Sequence, residues 1–559
     1  MRAVSFRHAR SAFKGDMTMK YAIERAIPCT RARLSAAVCA SFALALCAAD
    51  ARAADQAKAG ASALACSALT SVHVPGFDVR VKSAAMIAGG PVPNVPFQPT
   101  FSGTLPAYCR VDGVIDERTG HGGKRYGIGF AVALPDNWNG RFLMQGGGGL
   151  NGNVALPLGP VAAGETPALA RGFAVVTTDT GHQASAVFDA SFLQDQQATL
   201  DFLYQAVGKV AQVGKRVVAA YYGRAAAHSY FLGCSTGGRE AMLMAQRYPR
   251  FFDGIVAGSP AMRTNFSNLA DKWVTVALNQ VAPKDEQGRP VSSRALSESD
   301  KKLVIASLLK ACDAKDGVAD GMIFDPRACG FDPAQLACKG AKSDSCLTAE
   351  QAAAIKKGFA GPQDSRGVQV YPGFWLDTGI AARAPIPGLL NPGPSPVGGP
   401  TFITQMDVDR EELAASNPMA AVGDTANWTQ LDTFAEHGGK LIFYHGVSDP
   451  WFSAQDTARY YEQLGADNGG AAAVLKWSRL FLVPGMGHCS GGEATLDRFD
   501  LIDPIVDWVE KGEAPQSVRA TGSAFPGRSR PLCPYPQHAH YTGHGDSERA
   551  ESFECRDPT

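Results

Sequence analysis

A serine hydroxyl is a poor nucleophile at neutral pH. It becomes one when a neighbouring base takes its proton and a third group orients that base. The sequence offers such a set in Ser235, His488 and Asp449. Ser235 is the centre of Gly233-Cys234-Ser235-Thr236-Gly237, which fits G-x-S-x-G. His488, the candidate base, follows the apolar run Arg479–Val483, and Asp449, the candidate acid, follows Lys440–Tyr444. Other candidates stand at strand ends: His182 with Asp179 precedes the serine, and His445 lies four residues before Asp449. His445 is expected to be a packed loop residue with nearby hydrogen bonds. Attack on a carbonyl would place negative charge on its oxygen, which preorganised N–H groups must meet. Thr236, just after the serine, supplies one such amide. The glycine run Gly146-Gly147-Gly148-Gly149 is expected to supply another, because glycine lets backbone approach a ligand closely.

Two further groups carry chemistry. Cys234 precedes the candidate nucleophile and Cys489 follows the candidate base. If serine and histidine meet, the two cysteines are near enough to bridge, which needs Cα atoms roughly 4.4–6.8 Å apart. Asp313, Asp316 and Asp320 lie in a glycine-punctuated loop, Asp313–Met322. Hard oxygen donors on a tight loop suit Ca²⁺, although the spacing is not that of an EF-hand.

These residues need a scaffold. Tyr230–Leu232 reads as a buried strand, and Glu240–Arg247 consists of strong helix formers, so Ser235 is expected on a strained strand-to-helix turn. Further strands are expected at Tyr126–Leu134, Arg141–Gln145, Ala174–Thr178 and Gly254–Gly258, with helices at Leu200–Tyr222 and Gln455–Leu464. Leu501, Ile505, Trp508 and Val509 mark one more helix face. Strands alternating with helices imply a parallel sheet covered on both faces. In such sheets ligands bind beyond the carboxyl ends of the strands, which places Ser235, Asp449 and His488 at one edge. The order Ser…Asp…His is that of α/β-hydrolases. The alternation breaks after about residue 260 and resumes near 434. The expected organisation is therefore a leader (1–53), the first part of an α/β-hydrolase domain (54–260), a large inserted lid domain (261–433) and the second part of the hydrolase domain (434–559). Cys66 to Cys109 reads as irregular and proline-rich.

The whole chain sets bounds. It has 559 residues, 45% of them hydrophobic and 19% charged, with a formal net charge of zero. No basic block is present, so nucleic acid is not an expected partner. A basic segment, an apolar run from Leu34 to Leu46 and Ala51-Arg52-Ala53 read as a secretory signal with its cleavage site, and no later run suggests a membrane anchor. Secretion or a periplasmic location follows. Ten cysteines remain beyond the leader, and in an exported protein they read as five disulfides of open connectivity.

Taken together, Trp138-Asn139-Gly140-Arg141-Phe142 with the glycine run, Gly233 to Glu240, the Asp313–Met322 loop, Tyr444 to Asp449, Pro484 to Gly492 and Leu532 to Pro536 resemble the tannase and feruloyl esterase family of secreted serine esterases. The resemblance spans roughly Cys66 to Cys555. It implies Ser235, Asp449 and His488 as a catalytic triad, and Thr236 with Gly149 as oxyanion donors. It implies a structural Ca²⁺ in the lid held by Asp313, Asp316 and Asp320 side chains and by the Val318 and Met322 carbonyls. It implies the pairs Cys234–Cys489, Cys66–Cys109, Cys312–Cys329, Cys338–Cys346 and Cys533–Cys555. The implied activity is hydrolysis of small aromatic esters such as feruloyl or galloyl esters. A terephthalate-monoester hydrolase and an exported amidase or peptidase are the alternatives. Pro385 to Trp428 is shorter than in terephthalate-type members, and Arg383 and Arg410 are not anchored as carboxylate binders. Trp451 and Phe452 are expected to wall the substrate site, whereas Phe374 and Trp375 are expected in the lid core. The sequence leaves the oligomeric state open.

Overall fold

The computed structural model describes residues 64–95, 100–393 and 399–558. The expected leader and its cleavage site lie outside the described residues, as do residues 394–398 of the expected lid.

Nine strands form the main sheet: β1 (Val79–Ile87), β2 (Tyr108–Thr119), β3 (Arg125–Pro135), β4 (Arg141–Gln145), β5 (Ala174–Thr178), β6 (His228–Cys234), β7 (Gly254–Gly258), β8 (Lys440–Gly446) and β9 (Ser478–Val483). Their order is β1-β2-β3-β5-β4-β6-β7-β8-β9. Pairing is parallel from β5 through β9 and antiparallel among β1, β2, β3 and β5. The sheet is therefore mixed, and the expectation of a parallel sheet holds for its site-bearing part. The region between Cys66 and Cys109 is less irregular than its prolines suggest, because β1 runs through it. β1 is an edge strand with most residues exposed; its apolar alternation is short, Val79 and Val81, and is interrupted by a register shift before Ser83.

Alternate residues of the central strands face two apolar layers. Met144, Val176, Phe231, Ile255 and Phe443 point one way, and Leu143, Val175, Tyr230, Leu232 and Ile442 the other. The first layer is covered by α1 (Ala206–Tyr222) and by α2 (Thr236–Arg247), the helix that follows Ser235. A π-helical turn, Asp201–Gln205, leads into α1. α1 stops at Gly223, which takes the left-handed conformation common at helix ends.

The inserted segment carries α3 (Thr264–Asn279), α4 (Glu298–Cys312), α5 (Ala349–Ala360), α6 (Val408–Ala415) and α7 (Pro418–Gly423). Capping boxes, Ser297 with Asp300 and Thr348 with Gln351, fix the starts of α4 and α5. Of these, α3, α4 and α5 build an apolar cluster of their own around Val274, Leu308, Ile355 and Phe359. Phe374 belongs to that cluster as expected, whereas Trp375 packs against the sheet layer instead. After the insertion, α8 (Ala454–Asp467) joins the first layer and α9 (Ile502–Lys511) covers the second with Ile502, Ile505 and Trp508. Among the described residues no helix is long and apolar enough to cross a membrane.

Candidate active site

Ser235 sits where β6 turns into α2, with φ 65° and ψ −125°. A non-glycine residue rarely adopts this conformation, and it persists only where the surroundings enforce it. Four glycines enforce it here. A Cβ on Gly233 would stand 2.3 Å from the Gly237 carbonyl oxygen, and one on Gly238 would stand 2.2 Å from that of Gly258. Gly146 and Gly237 are equally pressed, with 2.7 Å between a Gly146 Cβ and the Gly237 Cα. The Ser235 amide donates to the Gly258 carbonyl at 3.0 Å, and the Ser235 carbonyl accepts from Arg239 and Ala261. The backbone is therefore fixed on both sides of the hydroxyl.

His488 and Asp449 arrive on loops after β9 and β8. His488 Nδ1 lies 2.7 Å from Asp449 Oδ2, and both side chains are buried. Asp449 Oδ1 accepts from the amides of Trp451 (2.9 Å) and Phe452 (3.1 Å). Burial opposes charge on Asp449, but the facing His488 and His445 rings outweigh it and hold the carboxyl well below the usual carboxylate range. His445 is the packed, hydrogen-bonded residue expected: Nδ1 faces Thr457 Oγ1 at 2.9 Å and Nε2 faces the Phe452 carbonyl at 3.0 Å. Asp179 accepts from the Gly129 and Gly181 amides and shapes its own turn. His182 is buried and stacked on Phe192.

The Cys234–Cys489 disulfide joins the neighbours of Ser235 and His488, with Cα atoms 5.9 Å apart across 255 residues of sequence. The other four pairs are Cys66–Cys109, Cys312–Cys329, Cys338–Cys346 and Cys533–Cys555, matching the pairing the resemblance implied.

Ser235, Gly149, Thr236, Trp451 and Phe452 line one cavity of about 250 Å³. Trp451 and Phe452 also flank His488, with ring centroids 4.7 and 5.2 Å from the imidazole. Thr236 Oγ1 donates to the Gly149 carbonyl, so the glycine loop is tied to the start of α2. Sequence reasoning missed several wall residues, among them Phe188, Phe202, Leu193, Met419 and Asp424. They come from the π turn, its approach and α7, and no motif marks them. Arg383 pairs with Glu298 and Arg410 leans towards Glu411; neither lines the cavity.

Two carboxylates hold the site together: Glu240, at the end of the Gly233–Glu240 motif but given no role there, and Asp377, which no motif singled out. Glu240 on α2 is fully buried; Oε2 accepts from the Gly147 amide at 2.9 Å and Oε1 from Asn151 Nδ2 at 2.6 Å. It thereby clamps the glycine loop from below. Asp377, from the insertion, takes the Ser448 hydroxyl (2.8 Å) and the Gly485 amide (2.7 Å) on one oxygen. It joins the loop carrying Asp449 to the loop carrying His488. A buried acid in a helix made of helix formers, as at Glu240, was the signal available.

The Asp313–Met322 loop lies away from this cavity and packs against the C-terminal segment. Arg530 holds Asp320 Oδ2, and Arg528 donates to the Asp320 carbonyl at 2.6 Å. Asp313 Oδ1 accepts from the Asp320 amide at 3.0 Å. Asp316 Oδ2 is buried with no hydrogen-bond partner. Burial pushes the Asp316 carboxyl up to about 8, with Asp320 and Asp313 adding repulsion. Among the described residues no three His, Cys, Asp or Glu side chains form a ready-made metal cluster. The unpartnered Asp316 oxygen nevertheless fits a hard cation that would complete the loop with backbone carbonyls.

Comparison with known proteins agrees with this architecture. Residues 109–391 and 401–556 match the family model described as tannase and feruloyl esterase. The chain is 40% identical over 521 residues to mono(2-hydroxyethyl) terephthalate hydrolase of Piscinibacter sakaiensis, covering 81% of this chain and 85% of that one. It is 30% identical over 525 residues to a probable feruloyl esterase B-2 of Aspergillus terreus, covering 87% and 93%. The crystal structure of feruloyl esterase B from Aspergillus oryzae superimposes with a TM-score of 0.71 at 25% identity, covering 88% of this chain and 100% of that one. With that family model matched over most of the chain and relatives at 30–40% identity covering more than four fifths of it, the chain belongs to the tannase and feruloyl esterase family.

Proposed function

We propose that this protein is an exported serine esterase that hydrolyses esters of aromatic, phenolic acids through an acyl-enzyme on Ser235. One observation carries the reading. The Cys234–Cys489 bridge holds the neighbours of Ser235 and His488 5.9 Å apart, while His488 Nδ1 meets Asp449 at 2.7 Å. His488 takes the Ser235 proton as the hydroxyl attacks the ester carbonyl, and Asp449 orients the ring and stabilises the imidazolium. The Thr236 and Gly149 amides receive the oxyanion. Protonated His488 releases the alcohol, and water activated by the same base then cleaves the acyl-enzyme. The aromatic side chains of Phe188, Trp451 and Phe452 suit a planar acyl group.

Asp313, Asp316 and Asp320, with the Val318 and Met322 carbonyls, would hold Ca²⁺, which would neutralise their repulsion and fix the loop against the C-terminal segment. That role is structural. The five disulfides and the expected leader support export. The alternative, a terephthalate-monoester hydrolase, is favoured by the 40% identity to that enzyme. Measuring kcat/KM for feruloyl, galloyl and terephthaloyl esters beside the matching amides tests the reading. Phenolic esters cleaved in preference to amides support it; amides cleaved preferentially overturn it.

A further inference from the structure

The cavity at Ser235 carries polar as well as apolar side chains on its wall. Two of its wall residues carry formal charge, Arg239 and Asp424. Arg239 is buried and occupied: its guanidinium donates to the carbonyls of Leu203 (2.7 Å) and Phe202 (3.1 Å) on the π turn. Arg263, the next cation near Asp424, is held by Asp456. Asp424 is different. It follows α7, it lines the cavity, and among the described residues no donor hydrogen-bonds its carboxylate. Burial pushes its carboxyl up to about 6; Arg239 and Arg263 pull against this and Asp456 adds to it. The wall therefore presents an acceptor without a donor and no unoccupied cation.

We propose, resting on the esterase reading above, that Asp424 determines acyl specificity: it accepts the O–H of a free ring hydroxyl and disfavours acyl groups that carry a second carboxylate. Entry of an aromatic ring expels the water that would otherwise solvate Asp424, so an acyl group must replace that donor or leave the carboxylate unpaired. A free phenolic hydroxyl replaces it, whereas a methoxy group in the same place offers no proton. A carboxylate on the ring meets the like charge of Asp424, while Arg239 directs its Nη1 and Nη2 groups to backbone carbonyls and not to a ring carboxylate.

The test compares matched esters on the full-length protein. Wild type is expected to show kcat/KM for methyl ferulate about tenfold or more above methyl 3,4-dimethoxycinnamate. It is likewise expected to cleave dimethyl terephthalate faster than monomethyl terephthalate. Asp424→Ala should collapse the hydroxyl preference. Asp424→Asn, which keeps an acceptor but loses the charge, should narrow the terephthalate ratio while retaining part of the hydroxyl preference. Equal wild-type rates on free and methylated hydroxyls, or wild-type ratios retained in Asp424→Ala, would overturn the proposal. If Asp424→Ala does not fold, the terephthalate ratio of Asp424→Asn decides, and an unchanged ratio overturns it. Activity on p-nitrophenyl acetate separates the two layers. Its presence without a hydroxyl preference removes the role of Asp424 alone, and loss of all ester hydrolysis in wild type removes the esterase reading as well.

Discussion

His445 Nε2 lies 3.4 Å from Asp449 Oδ2, the same oxygen that meets His488 Nδ1 at 2.7 Å. The Phe452 carbonyl, 3.0 Å from His445 Nε2, can only accept, so this nitrogen carries a proton, and Nδ1 is paired with the Thr457 hydroxyl. His445 is then a second donor to the oxygen that holds the base. As a positioning residue it should affect turnover more than binding. His445→Phe is expected to lower kcat about tenfold or more with KM little changed, and His445→Gln, which keeps an N–H donor, to recover part of the loss. Steady-state kinetics of both variants check this; a KM effect alone contradicts it.

Glu240 holds the loop that carries Gly149 through the Gly147 amide and the Asn151 side chain. Glu240→Gln turns one acceptor into a donor facing donors. The glycine loop should shift and oxyanion stabilisation weaken, with kcat falling on the order of 100-fold. A melting curve shows whether the fold survives, and kcat then reports the loop. Unaltered kcat in a folded variant would dissociate Glu240 from the oxyanion site.

His182 has both ring nitrogens buried without partners, and burial lowers its pKa to about 4. In the unfolded chain the ring titrates near its ordinary value, roughly 6.5. Between these values the unfolded state binds a proton that the folded state refuses, so stability falls as pH drops from about 6.5 to about 4. The loss is on the order of 3 kcal/mol. His182→Phe, stacked in the same place on Phe192, removes that proton. Its melting temperature should gain on wild type as pH falls through this window, and parallel pH dependences would refute the assignment.

The Asp313–Met322 loop is expected to respond to chelation. EDTA should lower the melting temperature by a few degrees and excess Ca²⁺ should restore it, because a ligand bound to the folded state alone stabilises by mass action. Turnover should decline only as the junction between the insertion and the C-terminal segment loosens. Immediate loss of activity without a change in melting would contradict a structural role.

The serine turn was legible because Gly233 and Gly237 flank Ser235 between an apolar strand run and a stretch of helix formers, and His488 and Asp449 were legible because both follow apolar strand runs. The cysteine pairing at the site followed from the same geometry, since bridging neighbours require bridged catalytic loops. Edge strand β1 was hidden because only Val79, Val81 and Ala84 turn to the core and the rest of the strand is exposed. The cavity walls were hidden for another reason: Phe202, Met419 and Asp424 come from segments far apart in sequence, and packing alone makes them neighbours. Asp377 was silent, since a buried carboxylate reads like any other acid until its partners are known, and Glu240 stood in the Gly233–Glu240 motif with nothing to show what it holds.

The central claim is that Ser235 is the nucleophile activated by His488. Incubation with a fluorophosphonate followed by peptide mass spectrometry tests it most directly. The account predicts one adduct per chain, on Ser235, forming in step with loss of esterase activity, with Ser235→Ala unlabelled and inactive though folded. Stoichiometric labelling elsewhere, or a folded Ser235→Ala variant that keeps more than a few per cent of wild-type turnover, would contradict it.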